Sequence, residues 1–254
     1  MESFKSFDGT TIAFREWGSA YGGVPVLLHH GFAADSISNW VTPGVADRIV
    51  ADGRHVVAID ARGHGKSDKP HDVAAYSDGQ MATDVSRLID HLEFDRVDLV
   101  GYSMGGHVAM DVATRETRLH SVVLAGIGGA SLEPKPIDRS GIVDALRAPR
   151  AEDVQDRMSR WFRRFADSTG ADLEALAAVA SSGGHRVEGV ERISVPTLVL
   201  VGADDPLAAG AEKIAAAILG ARYVVVPGDH LSGVGVPEFA DAIVSFVQSL
   251  PKRT

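Results

Sequence analysis

The sequence predicts an α/β protein built on a mostly parallel sheet with helices on both faces, and three observations carry that expectation. Short apolar runs alternate with segments of helical spacing through most of the chain, as strand–helix–strand units do. Several runs are apolar throughout, such as Val26-Leu27-Leu28 and Val122-Val123-Leu124-Ala125, which is how a strand buried on both faces reads. Finally, the stretch from Val97 to Val108 joins one such run to a helical pattern through a glycine-flanked serine, Gly101-Tyr102-Ser103-Met104-Gly105.

Taken in order, residues 4–17 hold Phe4, Phe7, Ile12, Phe14 and Trp17 around Asp8-Gly9-Thr10, which predicts two strands, a tight turn and an antiparallel edge. Val24-Pro25-Val26-Leu27-Leu28-His29-His30 is a buried strand ending at Gly31, with Pro25 at its start. His55-Val56-Val57-Ala58-Ile59-Asp60 is another, running into the loop Ala61-Arg62-Gly63-His64-Gly65-Lys66-Ser67. Met81, Val85, Leu88, Ile89 and Leu92 trace one face of a helix that leads to the strand at Val97. After the helix behind Ser103, Ser121 to Gly126 forms a strand, and then only helical patterns appear from about Ile137 to Ala180. Strands resume at residues 196–202 and 221–227. The last helix has Pro237 near its start and Phe239, Ile243, Phe246, Val247 and Leu250 on one face.

This pattern divides the 254 residues into a core domain, 1–129 and 191–254, and a helical cap inserted at 130–190, with Ser181-Ser182-Gly183-Gly184 as the return to the sheet. In the cap, Val154, Met158, Trp161, Phe162 and Phe165 share a face, while Arg157, Arg160, Arg163 and Arg164 lie largely away from it. That face either packs onto the sheet or roofs an apolar pocket through Trp161 and Phe162.

Composition excludes several classes of function. Apolar residues make up 45% and charged residues 23%, and no apolar run approaches the roughly 20 residues of a membrane span. A net charge of −9 argues against nucleic acid and anionic membrane as partners, because both require basic surface. The absence of cysteine removes disulfides, thiolate nucleophiles and cysteine-bound metals. The first eight residues lack a basic segment followed by a continuous apolar one, so a cytoplasmic location is expected.

The chemistry is expected beyond the carboxyl ends of the strands, where ligands of such sheets bind. The serine pattern alone is weak: 27 Gly and 20 Ser in this length give about 0.2 chance matches. Its weight comes from the strand before it and the helix after it, which make Ser103 an exposed residue on a strained turn at a helix N-terminus. Three other loops at the same edge carry His30-Gly31-Phe32, Asp204-Asp205 and Asp229-His230. With Ser103 they supply nucleophile, acid and base in that chain order, and His230 alone of the ten histidines follows the last strand. His30 and His64 are read as residues that order their loops by bonding backbone, and Arg62 as a structural or surface partner.

Together these stretches resemble the α/β-hydrolase superfamily, in particular small single-chain, esterase-like serine hydrolases with a short helical cap. Gly101 to Gly106 is similar to its nucleophile elbow, His30-Gly31-Phe32 to its oxyanion loop, and Asp60 to Ser67 to a loop common in its small members. The resemblance implies the α/β-hydrolase fold, with Ser103 as nucleophile, His230 as base, and backbone N–H groups of Phe32 and Met104 as oxyanion hole. It favours Asp205 over Asp204 as the acid, because relatives commonly place the carboxylate just before the residue that here is Pro206.

The implied activity is cleavage of small-molecule carboxylic esters or lactones through an acyl-enzyme, with no cofactor and no metal. Dehalogenases and epoxide hydrolases of the family carry aspartate where this chain has Ser103. Its carbon–carbon hydrolases commonly have Asn before the serine and Trp after the histidine, where this chain has Tyr102 and Leu231. Perhydrolases and haloperoxidases share the same three groups, and a receptor or scaffold that binds without turnover is the alternative of a different class.

Overall fold

The computed structural model describes residues 1–77, 79–133, 138–183 and 187–250. Its strands are β1 (Glu2–Lys5), β2 (Thr11–Trp17), β3 (Val26–His29), β4 (Val56–Asp60), β5 (Val97–Tyr102), β6 (Leu119–Ala125), β7 (Thr197–Gly202) and β8 (Arg222–Val226). They form one sheet in the order β1-β2-β4-β3-β5-β6-β7-β8. β1 pairs antiparallel with β2, and β2 with β4, while every later pair is parallel. The family-level expectation of an α/β-hydrolase fold with a mostly parallel sheet therefore holds.

The helices are α1 (Val45–Ala51), α2 (Gln80–His91), α3 (Met104–Ala113), α4 (Ser140–Arg147), α5 (Arg157–Thr169), α6 (Leu173–Ser181), α7 (Glu212–Ala217) and α8 (Pro237–Gln248). Successive side chains of a strand point to opposite faces, so an all-apolar strand feeds two cores. Leu27 joins Val85, Leu88 and Ile89 of α2 and Met110 of α3 on one face. Val26 and Leu28 join Ile49 of α1 and Phe239, Ile243 and Val247 of α8 on the other. β8 is the exception: it is the edge strand, and of its five residues only Val226 is buried. The short helices α1 and α7, of seven and six residues, have no counterpart in the sequence reading, because two turns or fewer show no resolvable apolar period.

Between β6 and β7 the chain forms α4, α5 and α6, with α4 packed against both of the others and α6 against the turn Val73–Tyr76. Asp156 caps α5 by accepting the Ser159 N–H at 2.7 Å, and Asp172 caps α6 by accepting the Ala175 N–H at 3.0 Å. One expectation is sharpened here and another corrected. Arg163 lies away from the half-buried aromatic rings but not in solvent: with Ser159 and Ala166 it forms a second, buried face of α5. Its guanidinium donates to the carbonyls of Ala145, Leu146 and Ala148 at the end of α4, where intrahelical donors run out; the Ala145 carbonyl also accepts the Ala148 N–H. Val154 precedes the helix instead of sharing its face. Ile137 and Gly184, the limits of the predicted helical interval and of its return, lie outside the described residues.

Of the two roles expected for Arg62, the structure shows the structural one. Arg62 is fully buried, donates from two nitrogens to Asp84 at 2.7 Å, and bonds Asp8, Gln80 and the Ala75 carbonyl. Its role is to tie the loop after β4 to α2. Among the described residues no helix is long and apolar enough to cross a membrane.

Candidate active site

The strained turn is present at Ser103, whose φ of 55° and ψ of −113° are unfavourable for a side chain with a Cβ. Such a conformation costs about 1–3 kcal/mol and persists only where neighbours enforce it. Here the Ser103 N–H donates to the Ala125 carbonyl at 2.8 Å, and its own carbonyl accepts the His107 N–H at 3.1 Å. The flanking glycines are obligatory. A Cβ on Gly101 would lie 2.0 Å from the Gly105 oxygen, and one on Gly105 would lie 2.1 Å from the His29 oxygen.

The loops after β7 and β8 bring the other two residues to the serine. His230 Nε2 is 2.9 Å from Ser103 Oγ, and His230 Nδ1 is 2.7 Å from Asp205 Oδ2. A carboxylate facing Nδ1 keeps the proton there, which leaves Nε2 as the acceptor facing the hydroxyl. The second oxygen of Asp205 accepts the Leu207 N–H at 2.9 Å, and its backbone is extended, as a residue before proline must be. Asp204, one residue earlier, is exposed. Both Asp205 and His230 are buried, so their interaction is little screened by solvent.

Tyr102, which the sequence reading did not single out for this purpose, holds the histidine loop from below. Its hydroxyl donates to the His230 carbonyl, and its ring lies 5.2 Å from the imidazole. Burial, and then the Asp205 and Asp229 carboxylates, raise its pKa, so the phenol stays protonated and remains a donor. A tyrosine one residue before the serine is visible in the sequence, but its carbonyl partner 128 residues away is not.

The loop His30-Gly31-Phe32 is fixed from both sides. Ala61 N–H donates to His30 Nε2 at 3.0 Å, which puts the proton of this ring on Nδ1, and Nδ1 donates to the Gly31 carbonyl at 2.8 Å. That carbonyl and the Phe32 N–H belong to one trans peptide and point in opposite directions. Holding the oxygen therefore aims the N–H away from His30. The Gly31 N–H in turn donates to Asn39 Oδ1 at 2.9 Å. Neither Phe32 N–H nor Met104 N–H has an acceptor among the described residues, and Met104 opens α3, where no intrahelical carbonyl is available. A Cβ on Gly31 would lie 3.3 Å from Ser103 Cβ, so the loop runs directly beside the serine.

A cleft enclosing about 310 Å³, partly open to solvent, is lined by Gly31, Phe32, Ala34, Asn39, Tyr102, Ser103, Trp161, Phe162, Phe165, His230 and Leu231. Trp161, Phe162 and Phe165 come from α5 and are half-buried. Edge-to-face contacts run from His64 to Phe32 and from Phe32 to Phe162, each with ring centroids 6.0 Å apart, so the loop after β3 and α5 share one aromatic row. Thr169, at the end of α5, adds a hydrogen bond of 2.8 Å to the Ala33 carbonyl.

His29, His30 and His64 form a buried group beneath this edge. Burial lowers all three pKa values, that of His29 to about 3, so the rings are neutral near pH 7. No cluster of three or more His, Asp or Glu among the described residues is arranged to hold a metal ion. Asn39 is the residue of the cleft that has no sequence signal: it follows Gly31 by eight positions in a polar run with no motif.

Comparison with known proteins places the chain in a family. Residues 24–192 match the family described as alpha/beta hydrolase fold. A non-heme haloperoxidase of Rhodococcus erythropolis is 29% identical over 95% of this chain and 97% of its own length. Among solved structures, the enol-lactonase of Burkholderia xenovorans LB400 superposes with a TM-score of 0.81 and 26% identity, covering 98% of this chain and 100% of its own. An esterase of Exiguobacterium antarcticum gives 0.76 and 26%, over 97% and 99%. The chain belongs to the alpha/beta hydrolase fold family.

Proposed function

We propose that this chain is a serine hydrolase that cleaves carboxylic esters or lactones through an acyl-enzyme. The observation that carries the reading is the unbroken relay at a strained serine: Asp205 Oδ2 to His230 Nδ1 at 2.7 Å, and His230 Nε2 to Ser103 Oγ at 2.9 Å. Ser103 Oγ attacks the substrate carbonyl while its proton passes to Nε2, and the Asp205 carboxylate stabilises the resulting imidazolium. The N–H groups of Phe32 and Met104 donate to the carbonyl oxygen and stabilise the negative charge that develops on it. The imidazolium then protonates the leaving alkoxide. Water, deprotonated by the same nitrogen, attacks the acyl-enzyme and releases the carboxylic acid and free Ser103. In a lactone the leaving alkoxide stays tethered to the acyl group.

Residues 130–190 act in this reading as the cap, with Trp161 and Phe162 roofing the pocket that receives the substrate chain. The ester and lactone classes are supported by the kinship with an esterase and an enol-lactonase. A second reading is favoured by the haloperoxidase relative: hydrogen peroxide in place of water would release a peracid from the same acyl-enzyme. It is measured as peracid formed from acetate and peroxide.

The test is covalent. A fluorophosphonate should label Ser103, and Ser103→Ala should lose both the label and turnover of p-nitrophenyl acetate while melting at an unchanged temperature. Labelling of the alanine variant at the wild-type level overturns the assignment. Repeated turnover by the wild type also separates an enzyme from a receptor that binds without hydrolysis.

A further inference from the structure

Asn39 sits in the short helical turn Ile37–Val41 behind the oxyanion loop, is buried, and lines the cleft with Ser103 and His230. The orientation of its amide is settled by chemistry. A backbone N–H can only donate, so the atom 2.9 Å from the Gly31 nitrogen must be the oxygen, Oδ1. That leaves Nδ2, with two N–H bonds, as the buried atom that finds no acceptor among the described residues. Oδ1 and Ser103 Cβ lie 3.5 and 3.3 Å from the point where a Gly31 side chain would begin, so the amide is on the serine's side of the loop.

A buried donor with no acceptor is costly, and protein interiors seldom keep one that does nothing. The rest of the cleft makes this donor conspicuous. Phe32, Ala34, Trp161, Phe162, Phe165 and Leu231 offer apolar surface. The Tyr102 hydroxyl is engaged with the His230 carbonyl, and Ser103 and His230 with each other.

We propose that Asn39 Nδ2 donates a hydrogen bond to the bound substrate, and that the site accordingly takes esters or lactones whose chain carries a second oxygen acceptor. An ether, oxo or hydroxyl oxygen near the reacting carbonyl meets that requirement, and a plain alkyl chain of equal length does not. The inference rests on Ser103 as the nucleophile and adds the class of substrate. Asn39 is then a specificity-determining residue, and its Oδ1 bond to Gly31 aligns the donor with the oxyanion loop.

The experiment compares two isosteric pairs that differ by one oxygen: p-nitrophenyl methoxyacetate with p-nitrophenyl butyrate, and 2-methoxyethyl acetate with butyl acetate. Each kcat/KM ratio is measured in the wild type, in Asn39→Asp and in Asn39→Leu. Intrinsic differences in ester reactivity cancel between variants. Asn39→Asp keeps an acceptor for the Gly31 N–H and removes the donor, so it reads the proposal even where Asn39→Leu folds poorly.

The oxygen-bearing member should lose about tenfold relative to its partner in both variants, in at least one pair. Ratios unchanged in both pairs, including an equal fall of all rates, would show that Asn39 only braces the loop, and overturn the proposal. The same esters titrated into Ser103→Ala by calorimetry need no turnover. A preference for the methoxy member that Asn39→Asp abolishes supports the proposal, and its absence refutes it. If the wild type neither labels nor hydrolyses, the acyl-enzyme reading fails while this binding arm still decides the role of Asn39.

Discussion

The loops at the carboxyl edge of the sheet and the helices α4–α6 above them face the same cleft, but they are built on opposite principles. At the sheet edge the backbone is over-determined: Ser103 is strained, Gly101 and Gly105 admit no side chain, and the Gly31 peptide is held from both sides. In the helical layer the cleft is met by half-buried aromatic rings, while the tightly packed face of α5 carries Ser159, Arg163 and Ala166. The contrast teaches a division of labour. Chemistry requires atoms fixed within a few tenths of an ångström, so it sits on the sheet. In the proposed reading the bulk and length of the substrate chain are met by the helices, which tolerate repacking, while Asn39 at the fixed edge reads an oxygen on that chain.

The sharpest way to break this comparison is to disturb the fixed edge by one atom. Asp205→Asn keeps the size of the side chain but can leave His230 in the wrong tautomer, and kcat should fall by about 10³–10⁴. Asp204→Asn alters an exposed side chain and should change kcat by less than about twofold. Steady-state kinetics of the two variants check this, and the reverse order would move the acid to Asp204.

Acid should also act on the sheet edge first. Burial depresses the pKa of His29, His30 and His64 below 6.5, that of His29 to about 3. Between those limits the unfolded chain binds protons that the folded chain refuses, so this contribution to stability is complete above pH 6.5 and is lost as pH falls toward 3. Residues 138–183 contain no histidine. Melting temperature should therefore drop between pH 7.5 and 5, and His29→Gln should flatten the slope. An equal slope in that variant would show that His29 is not the cause.

Disturbing the helical layer should do the converse. Arg163→Leu removes the guanidinium donor from the carbonyls of Ala145, Leu146 and Ala148, of which Ala145 keeps the Ala148 N–H, and should lower stability by about 2–3 kcal/mol, within the range for hydrogen bonds to a charged group. Ser103 should still react with a fluorophosphonate at near the wild-type rate below the melting temperature. Loss of labelling in a folded variant would mean that the two layers are not separable.

The same division governs what the sequence makes legible. The strands and long helices can be read because burial on two faces imposes apolar runs, and a helix on a sheet imposes a 3.6-residue period. Ser103, Asp205 and His230 can be singled out because each follows a strand in a loop with a recognisable neighbour: Gly101 and Gly105, Pro206, and the last strand. Arg163 defeats pattern reading because arginine on an amphipathic helix is normally solvated, and only the packing of α4 against α5 reveals the carbonyls it serves. Tyr102 and Asn39 are hidden for a related reason: their partners are backbone atoms, which leave no trace in residue identity.

The smallest expected effect tests the helical layer on its own ground. Trp161 and Phe162 line the cleft with ring centroids 4.9 Å apart, and both are half-buried. If they roof the substrate pocket, Trp161→Ala or Phe162→Ala opens room for a longer chain, and each methylene so accommodated is worth about 1–3 kcal/mol of discrimination. The preferred length should then shift upward in a series from acetate to octanoate esters, by an order of magnitude in relative kcat/KM, while Ser103 still labels. If they serve only as packing, truncation should cost up to about 3–5 kcal/mol of stability and leave the ranking unchanged. Half-burial already points away from that larger figure, because much of each ring's surface has no neighbour to lose. The two outcomes separate in paired data: kcat/KM across the series and thermal melts of both variants. Lower melting temperatures with an unaltered ranking would return α5 to the role of scaffold and leave the choice of chain to the fixed edge below it.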